Sequence, residues 1–339
     1  MALYYLGNGK FENGEEKESV LNKHQVRVKV FYSGICGTDY HIAKGELDGR
    51  IADFPRIIGH EASGEITETG EDVKGWKAGD RVVVRPLQVC QSCEECRTGD
   101  ENVCTDVKYL GIESDGSFQK NWVVNESILH KIPEELDNRS AALAEPLAVC
   151  CHAVKRAGIT EKQKAVIIGG GPIGIMTALV LKSKNNDVMV SEIDSKRIEN
   201  CRRLGIEIVN PTEEDLSEKI NDWTNGRGAD VVFEASGSQA GLDSANELLH
   251  PNGKIVTIAT YGKVMNLDVR KLHYKQISLV TTRAYQKDDF EYALTLMKQR
   301  KIPTDALITK VISLTELKDY LAAAQRGTSE IKVLVDCRN

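Results

Sequence analysis

A short apolar run that ends in glycines narrows the fold more than any other stretch of this chain. Lys164-Ala165-Val166-Ile167-Ile168 leads directly into Gly169-Gly170-Gly171-Pro172-Ile173-Gly174, and helical spacing follows from Pro172 to Lys184. Apolar side chains without alternation suit a parallel strand covered on both faces. The glycines fit G-x-G-x-x-G: Gly169 permits a tight turn, Gly171 lets a pyrophosphate approach the backbone, and Gly174 lets helix and strand pack closely. The helix start adds unpaired N–H groups and a positive dipole end.

The surrounding pattern supports a doubly wound sheet. Further strands are expected at Asp187–Ser191, Ile206–Val209, Asp230–Phe233, Lys254–Ile258 and Ile277–Val280, with helical segments such as Lys196–Leu204 between them. Six strands alternating with helices make an α/β, doubly wound parallel sheet of the Rossmann kind. The second strand ends at Glu192, eighteen residues after Gly174. A carboxylate there can accept from both ribose hydroxyls and would repel a 2′-phosphate, which favours NAD over NADP. Lys196 and Arg197 stand close by and leave NADP open; Arg197 is expected to cover the adenine side.

Upstream the pattern changes. Val26–Val30, Arg81–Val84 and Trp122–Val124 read as short β segments separated by glycine-bearing turns, as in a compact β domain. Beyond the sheet, helices are expected at Asp288–Gln299 and Leu314–Arg326 and a strand at Ile331–Val335. With six strands already complete, this tail is expected to return to the first domain. The expected division is therefore residues 1–149, completed by 284–339, and 150–283.

Four of nine cysteines fall within fifteen residues: Cys90, Cys93, Cys96 and Cys104. Four thiolates at this spacing can close a tetrahedral shell around zinc, leaving no open position, so the site would be structural. An iron–sulfur cluster is the rival. The odd cysteine count speaks against a disulfide framework, and with no leader-like apolar run in the first residues a cytoplasmic protein is expected. A net charge of -6 argues against nucleic acid as a partner. No apolar stretch is long enough to span a membrane.

Three further stretches complete the pattern: Gly34-Ile35-Cys36-Gly37-Thr38-Asp39-Tyr40-His41, Gly59-His60-Glu61-Ala62-Ser63-Gly64 and Ala144-Glu145-Pro146. Together with the cysteine run, the glycine turn and Phe233-Glu234-Ala235-Ser236-Gly237, they make the chain resemble the zinc-containing medium-chain dehydrogenase/reductase family, in its polyol and threonine dehydrogenase branch. The resemblance covers about Val26 to Val335. It implies a GroES-like β-rich catalytic domain, an active site in the interdomain cleft, two zinc ions per subunit and a homodimer or homotetramer, with the sheet edge near Ile277–Val280 as a candidate contact.

The resemblance also implies residue roles. Cys36 and His60 would be ligands of a catalytic zinc. Glu61 would be a third ligand or a carboxylate that exchanges with water. Glu145 would bind the metal or its water; Cys150 and Cys151 are rival ligands. Thr38 and His41 would relay the proton, and Arg283 would contact substrate hydroxyls. The implied reaction is hydride transfer from a secondary alcohol to NAD, giving a ketone. The polar loop Lys44–Arg56, with Glu46, Asp48, Arg50, Asp53 and Arg56, favours a polyol, sugar alcohol or sugar acid as substrate. L-threonine 3-dehydrogenase activity is the alternative. A non-catalytic NAD-binding protein and a zinc-free reductase of the same fold are further readings, opposed by the retained ligand and relay residues.

Overall fold

The computed structural model describes residues 1–324 and 328–338 and divides into two compact units. One comprises Met1–Pro146, Gln286–Thr328 and Lys332–Asn339; the other comprises Leu147–Tyr285 and Ser329–Ile331.

The first unit is organised around the ten-residue strand Gln25–Gly34. Val26, Val28 and Val30 alternate inward, the period-two pattern of a strand with one face on the core. It pairs antiparallel with Glu61–Thr69, Asn121–Asn125 and the tail strand Lys332–Asp336. Arg81–Val84 and Leu129–Lys131 extend the sheet beyond Glu61–Thr69, and Ile308–Ser313 adds to Lys332–Asp336 in parallel. Ile66, Val82, Val84, Phe118, Trp122 and Leu321 are among the buried side chains of its core. A smaller sheet joins Ala2–Tyr5 to Phe11–Gly14 and Arg56–Ile57.

The second unit holds six parallel strands in the order Glu207–Val209, Asp187–Ser191, Lys164–Ile168, Ala229–Glu234, Leu249–Thr257 and Ser278–Thr281. The order reverses direction between Lys164–Ile168 and Ala229–Glu234. Ligands of such sheets bind at this switch point, outside the carboxyl ends of the strands. Pro172 opens the helix Pro172–Ser183, where its missing N–H costs nothing.

The expected strands Lys164–Ile168, Asp187–Ser191 and Arg81–Val84 are observed with those bounds. Several others move. The strand expected from Lys254 begins at Leu249 and ends at Thr257, because Ala229 pairs with Leu249 ahead of a register shift. The last helix spans Leu317–Ala324 rather than starting at Leu314; its expected end at Arg326 lies outside the described residues. Ala2–Tyr5, Phe11–Gly14, Glu61–Thr69 and Ile308–Ser313 carry no strand expectation. In Glu61–Thr69 glycine and small residues blur the alternation.

Candidate metal centres and dinucleotide turn

Cys36, His60 and Glu61 converge in the first unit, with one ligand atom from each lying within 4.8 Å of the others. Strand pairing brings them together. Gly34 sits opposite Glu61, so the chain leaving one strand presents Cys36 beside the His60-Glu61 entry to the next. Cys36 is the N-cap of the helix Gly37–Ala43. Its N–H donates to Asp39 Oδ2 at 2.8 Å, and its Sγ lies 3.7 Å from Thr38 Oγ1.

Glu61 is fully buried and paired with Lys332, itself only 4% exposed; Lys332 Nζ donates to Oε1 at 2.6 Å and stands 2.5 Å from Oε2. The second approach is ionic rather than a well-aligned hydrogen bond, so Oε2 keeps a lone pair for a further partner. Gly34 makes this pair possible: a Cβ there would lie 2.0 Å from Glu61 Oε2 and 3.0 Å from Lys332 Cε.

The charge of this pocket is predominantly negative. Burial alone would push the His60 imidazole down, yet the charges of Cys36, Asp39 and Glu145 hold it well above the usual histidine range. Burial raises Asp39 to about 6, against the pull of His60, and Asp39 Oδ1 has no hydrogen-bond partner. Lys332 is likewise raised: burial opposes its charge, but Glu61 and Cys36 outweigh that cost. A half-buried thiol with a buried imidazole and carboxylate and surplus negative charge are the donor set of a catalytic zinc, whose open position takes water or substrate. Glu145 is half-buried at the start of the helix Ala144–Ala157; it acts on His60 and Lys332 through its charge and is not one of the converging ligands. Asp39 and Lys332 were not singled out from the sequence. The available signal for Lys332 was a lone charge opening the apolar run Val333-Leu334-Val335.

Cys90, Cys93, Cys96 and Cys104 also place their sulfurs within 4.8 Å of one another, and none is in a disulfide. Cys90 and Cys96 sulfurs are 4.0 Å apart. Tetrahedral zinc with bonds of about 2.3 Å needs sulfurs roughly 3.8 Å apart. A polynuclear cluster would hold its thiolates wider, so the geometry fits a single ion. Backbone amides point at the sulfurs: Cys93 and Ser92 donate to Cys90 at 3.3 and 3.5 Å, and Cys90 and Asp106 donate to Cys104 at 3.4 Å each. The Ser92 hydroxyl and these amides lower Cys90 to about 6, whereas burial and neighbouring thiols raise Cys96 to about 12.

In the second unit, Gly169 has φ +104, and a Cβ there would press on Ser236 N at 2.9 Å. A Cβ at Gly174 would lie 1.9 Å from Gly169 O. Gly171 caps the helix and faces open space, its nearest neighbour being Arg197 Nη1 at 3.9 Å from a Cβ. Ile173 packs half-buried in the first turn. Glu192 is 6% exposed and accepts from Gly170 N at 2.8 Å, Ile193 N at 2.7 Å and Asp194 N at 2.9 Å. It thus fastens the glycine turn to the second strand, with Arg197 Nη1 3.7 Å away.

The polar loop is largely paired within the protein. Arg50 donates to Glu113 at 2.6 Å, Arg56 to Asp115 at 3.2 Å, and Asp48 accepts from the Tyr5 hydroxyl and Asn8 N. Glu46 Oε2 lies 2.5 Å from His41 Nδ1. Cys150 and Cys151 are buried in the second unit, and the Cys150 thiol donates to Ile173 O at 3.4 Å. Arg283 is exposed on the segment after the edge strand Ser278–Thr281. No helix among the described residues is long and apolar enough to cross a membrane.

Two families match successive parts of the chain. The alcohol dehydrogenase GroES-like domain family matches residues 22–134, and the zinc-binding dehydrogenase family matches residues 172–299. The chain is 38% identical to 2-dehydro-3-deoxy-L-galactonate 5-dehydrogenase of Pseudoalteromonas atlantica, over 99% of this chain and 98% of that protein. It is 35% identical to sorbitol dehydrogenase of Halalkalibacterium halodurans, over 97% and 96%. Among solved structures, 2R,3R-butanediol dehydrogenase from Bacillus subtilis superposes with a TM-score of 0.92 at 29% identity, covering 99% of each chain. A zinc-binding dehydrogenase from Sinorhizobium meliloti bound to NADP superposes with a TM-score of 0.90 at 27% identity, over 99% and 98%. An E. coli alcohol dehydrogenase complexed with NADH does so with 0.91 at 26%, over 99% and 98%.

Proposed function

The chain belongs to the zinc-containing medium-chain alcohol dehydrogenase family, and from that premise we propose that it oxidises a secondary hydroxyl of a sugar acid or polyol to a ketone, with NAD as hydride acceptor. The observation that carries this reading is the convergence of Cys36, His60 and Glu61 in a buried, anionic pocket. Zinc held there would supply a Lewis acid that lowers the pKa of the substrate hydroxyl by several units. Cys36 and His60 would hold it. Glu61, with one oxygen committed to Lys332, would have the other to offer as a further ligand. Glu145 adds a charge close enough to act on His60.

Thr38 takes the hydroxyl proton, since its Oγ1 already lies beside Cys36 Sγ. His41 passes the proton onward; with Nδ1 engaged by Glu46, Nε2 is the nitrogen left for that task. Thr38→Ala is expected to cut turnover about 100-fold, as loss of a general acid–base group does, with NADH affinity changed less than twofold. Unchanged turnover would remove Thr38 from the path.

The two relatives, a sugar-acid dehydrogenase and a sorbitol dehydrogenase by name, support a polyhydroxylated substrate. Arg50 and Arg56 are committed to Glu113 and Asp115, which makes them weak candidates for reading a carboxylate; Arg283, exposed after the edge strand, is proposed for substrate contact. Glu192 favours NAD, although its bonds to three backbone amides mean that replacing it would disturb the turn as well as the ribose site. The exposed edge strand Ser278–Thr281, with Leu279 outward and Tyr274 exposed on the preceding helix Val269–Lys275, supports strand-to-strand pairing with a second copy. The test is NADH formation on a panel of aldonates, ketoaldonates, polyols, sugar phosphates and threonine, repeated with NADP. Sugar acids or polyols with NAD should dominate. Threonine as the best substrate, or NADP as the preferred acceptor, would overturn the corresponding part of the proposal.

A further inference from the structure

Glu234 ends the strand on the far side of the switch point and is fully buried. Four donors converge on its carboxylate. Ser236 N and Oγ donate to Oε1 at 2.9 and 2.5 Å, Gly237 N reaches the two oxygens at 3.1 and 3.2 Å, and Tyr261 Oη donates to Oε2 at 2.6 Å. A carboxylate has about four acceptor positions, so this one is filled. Its backbone carbonyl also accepts from Ile258 and Ala259 N–H groups at 2.9 and 3.2 Å. One residue therefore ties together two segments at the carboxyl edge of the sheet: 235–238, and 258–261 behind the next strand. The surface of the first segment is exposed at Ser236 and Ser238, while its root is buried. Ser236 N is also the atom that a Cβ at Gly169 would strike. The fastened loop thus forms the wall opposite the glycine turn.

We infer that Glu234 is a positioning residue for the nicotinamide half of the dinucleotide, acting through Ser236, Gly237 and Tyr261 rather than by touching the cofactor. The inference rests on the dinucleotide reading above. Glu192 marks the adenine half on the other side of the switch point, which leaves the Glu234 side for nicotinamide. Burial and the bond to Glu234 raise the Tyr261 phenol, so it remains a donor at any working pH.

The test compares wild type, Glu234→Gln and Tyr261→Phe for NADH binding by fluorescence, for AMP binding by calorimetry, and for zinc content. Hydrogen bonds to charged groups are the stronger class, so Glu234→Gln should weaken NADH about tenfold and Tyr261→Phe about threefold. AMP affinity and zinc content should stay within twofold, because neither ligand depends on this wall. Unchanged NADH affinity in Tyr261→Phe and in Glu234→Gln would overturn the inference. So would equal weakening of AMP and NADH, which marks a general loss of structure. If Glu234→Gln does not fold, Tyr261→Phe alone decides. Wild type failing to bind NADH would instead overturn the dinucleotide reading itself.

Discussion

The two thiol-bearing clusters differ in how they are made and in what surrounds them. The four-cysteine site draws all its ligands from one short loop, and its sulfurs accept bonds from the loop's own amides. Its ligand set is four thiols, with no carboxylate among them. The Cys36 site draws its ligands from the adjoining ends of two paired strands, with Asp39, Glu145 and Lys332 supplying charge around it. A shell of four identical donors is closed and can only hold the chain. A mixed shell with a carboxylate shared between an ammonium and the metal has a position to yield. The same element would be structural in one region and chemical in the other, for reasons visible in the donors.

The sharpest way to break this contrast is to remove one ligand from each site. His60→Ala should lower kcat/KM by about 10⁴-fold, or roughly 5.5 kcal/mol of transition-state stabilisation. Bound zinc should drop by one ion per chain by elemental analysis, with the melting temperature little changed. Cys96→Ser should do the reverse in kind. It should cost about 4 kcal/mol of stability in denaturant melts, as losing a metal site does, while the zinc retained supports turnover by the folded fraction. If His60→Ala proved the more destabilising of the two, the division into structural and chemical sites would fail.

These differences also explain what could be read in advance. The cysteine run and the glycine turn are local, so spacing alone exposes them. Glu61–Lys332 is not, because its partners are 271 residues apart and meet only when the tail strand pairs with Gln25–Gly34. Resemblance supplied Glu61 but offered no reason for Gly34, which the structure supplies as the space their contact occupies. The Lys44–Arg56 loop shows a limit of another kind. Its polar character agrees with the polyol and sugar-acid relatives, but Arg50 and Arg56 serve Glu113 and Asp115 on a neighbouring loop. Composition reports charge and cannot report what that charge already touches.

Lys332→Met sharpens the contrast from inside the chemical site. Removing one partner of a buried pair leaves the other charge uncompensated, which costs about 3 kcal/mol or more. Stability by urea melts should fall accordingly, and Glu61→Gln added to Lys332→Met should recover part of the loss. With Glu61 no longer shared, its carboxylate should stay on the metal, so kcat should fall more than zinc affinity. A double variant no more stable than Lys332→Met would show that Lys332 is held by packing rather than by Glu61.

The smallest effect concerns the support of the structural lobe. Arg85, buried after the strand Arg81–Val84, donates to Glu101, three residues before Cys104. His130 is 7% exposed and stacks on Phe290 at 4.7 Å. Burial, then the charges of Arg85 and Lys287, lower it to about 3. A histidine depressed in the folded state stays neutral while the unfolded chain, near 6.5, takes up a proton. The unfolded state then binds more protons across pH 3 to 6.5, so stability rises with pH in that window and is lost on acidification. Between pH 6.5 and 5.5 this one group should cost about 1 kcal/mol. His130→Leu cannot titrate and should flatten the pH dependence of urea stability by that amount, leaving the pH profile of turnover unchanged because His130 is not among the converging ligands. Equal slopes in the two proteins would mean that His130 protonates in the folded state, and that mild acid reaches the base of the lobe without unfolding it.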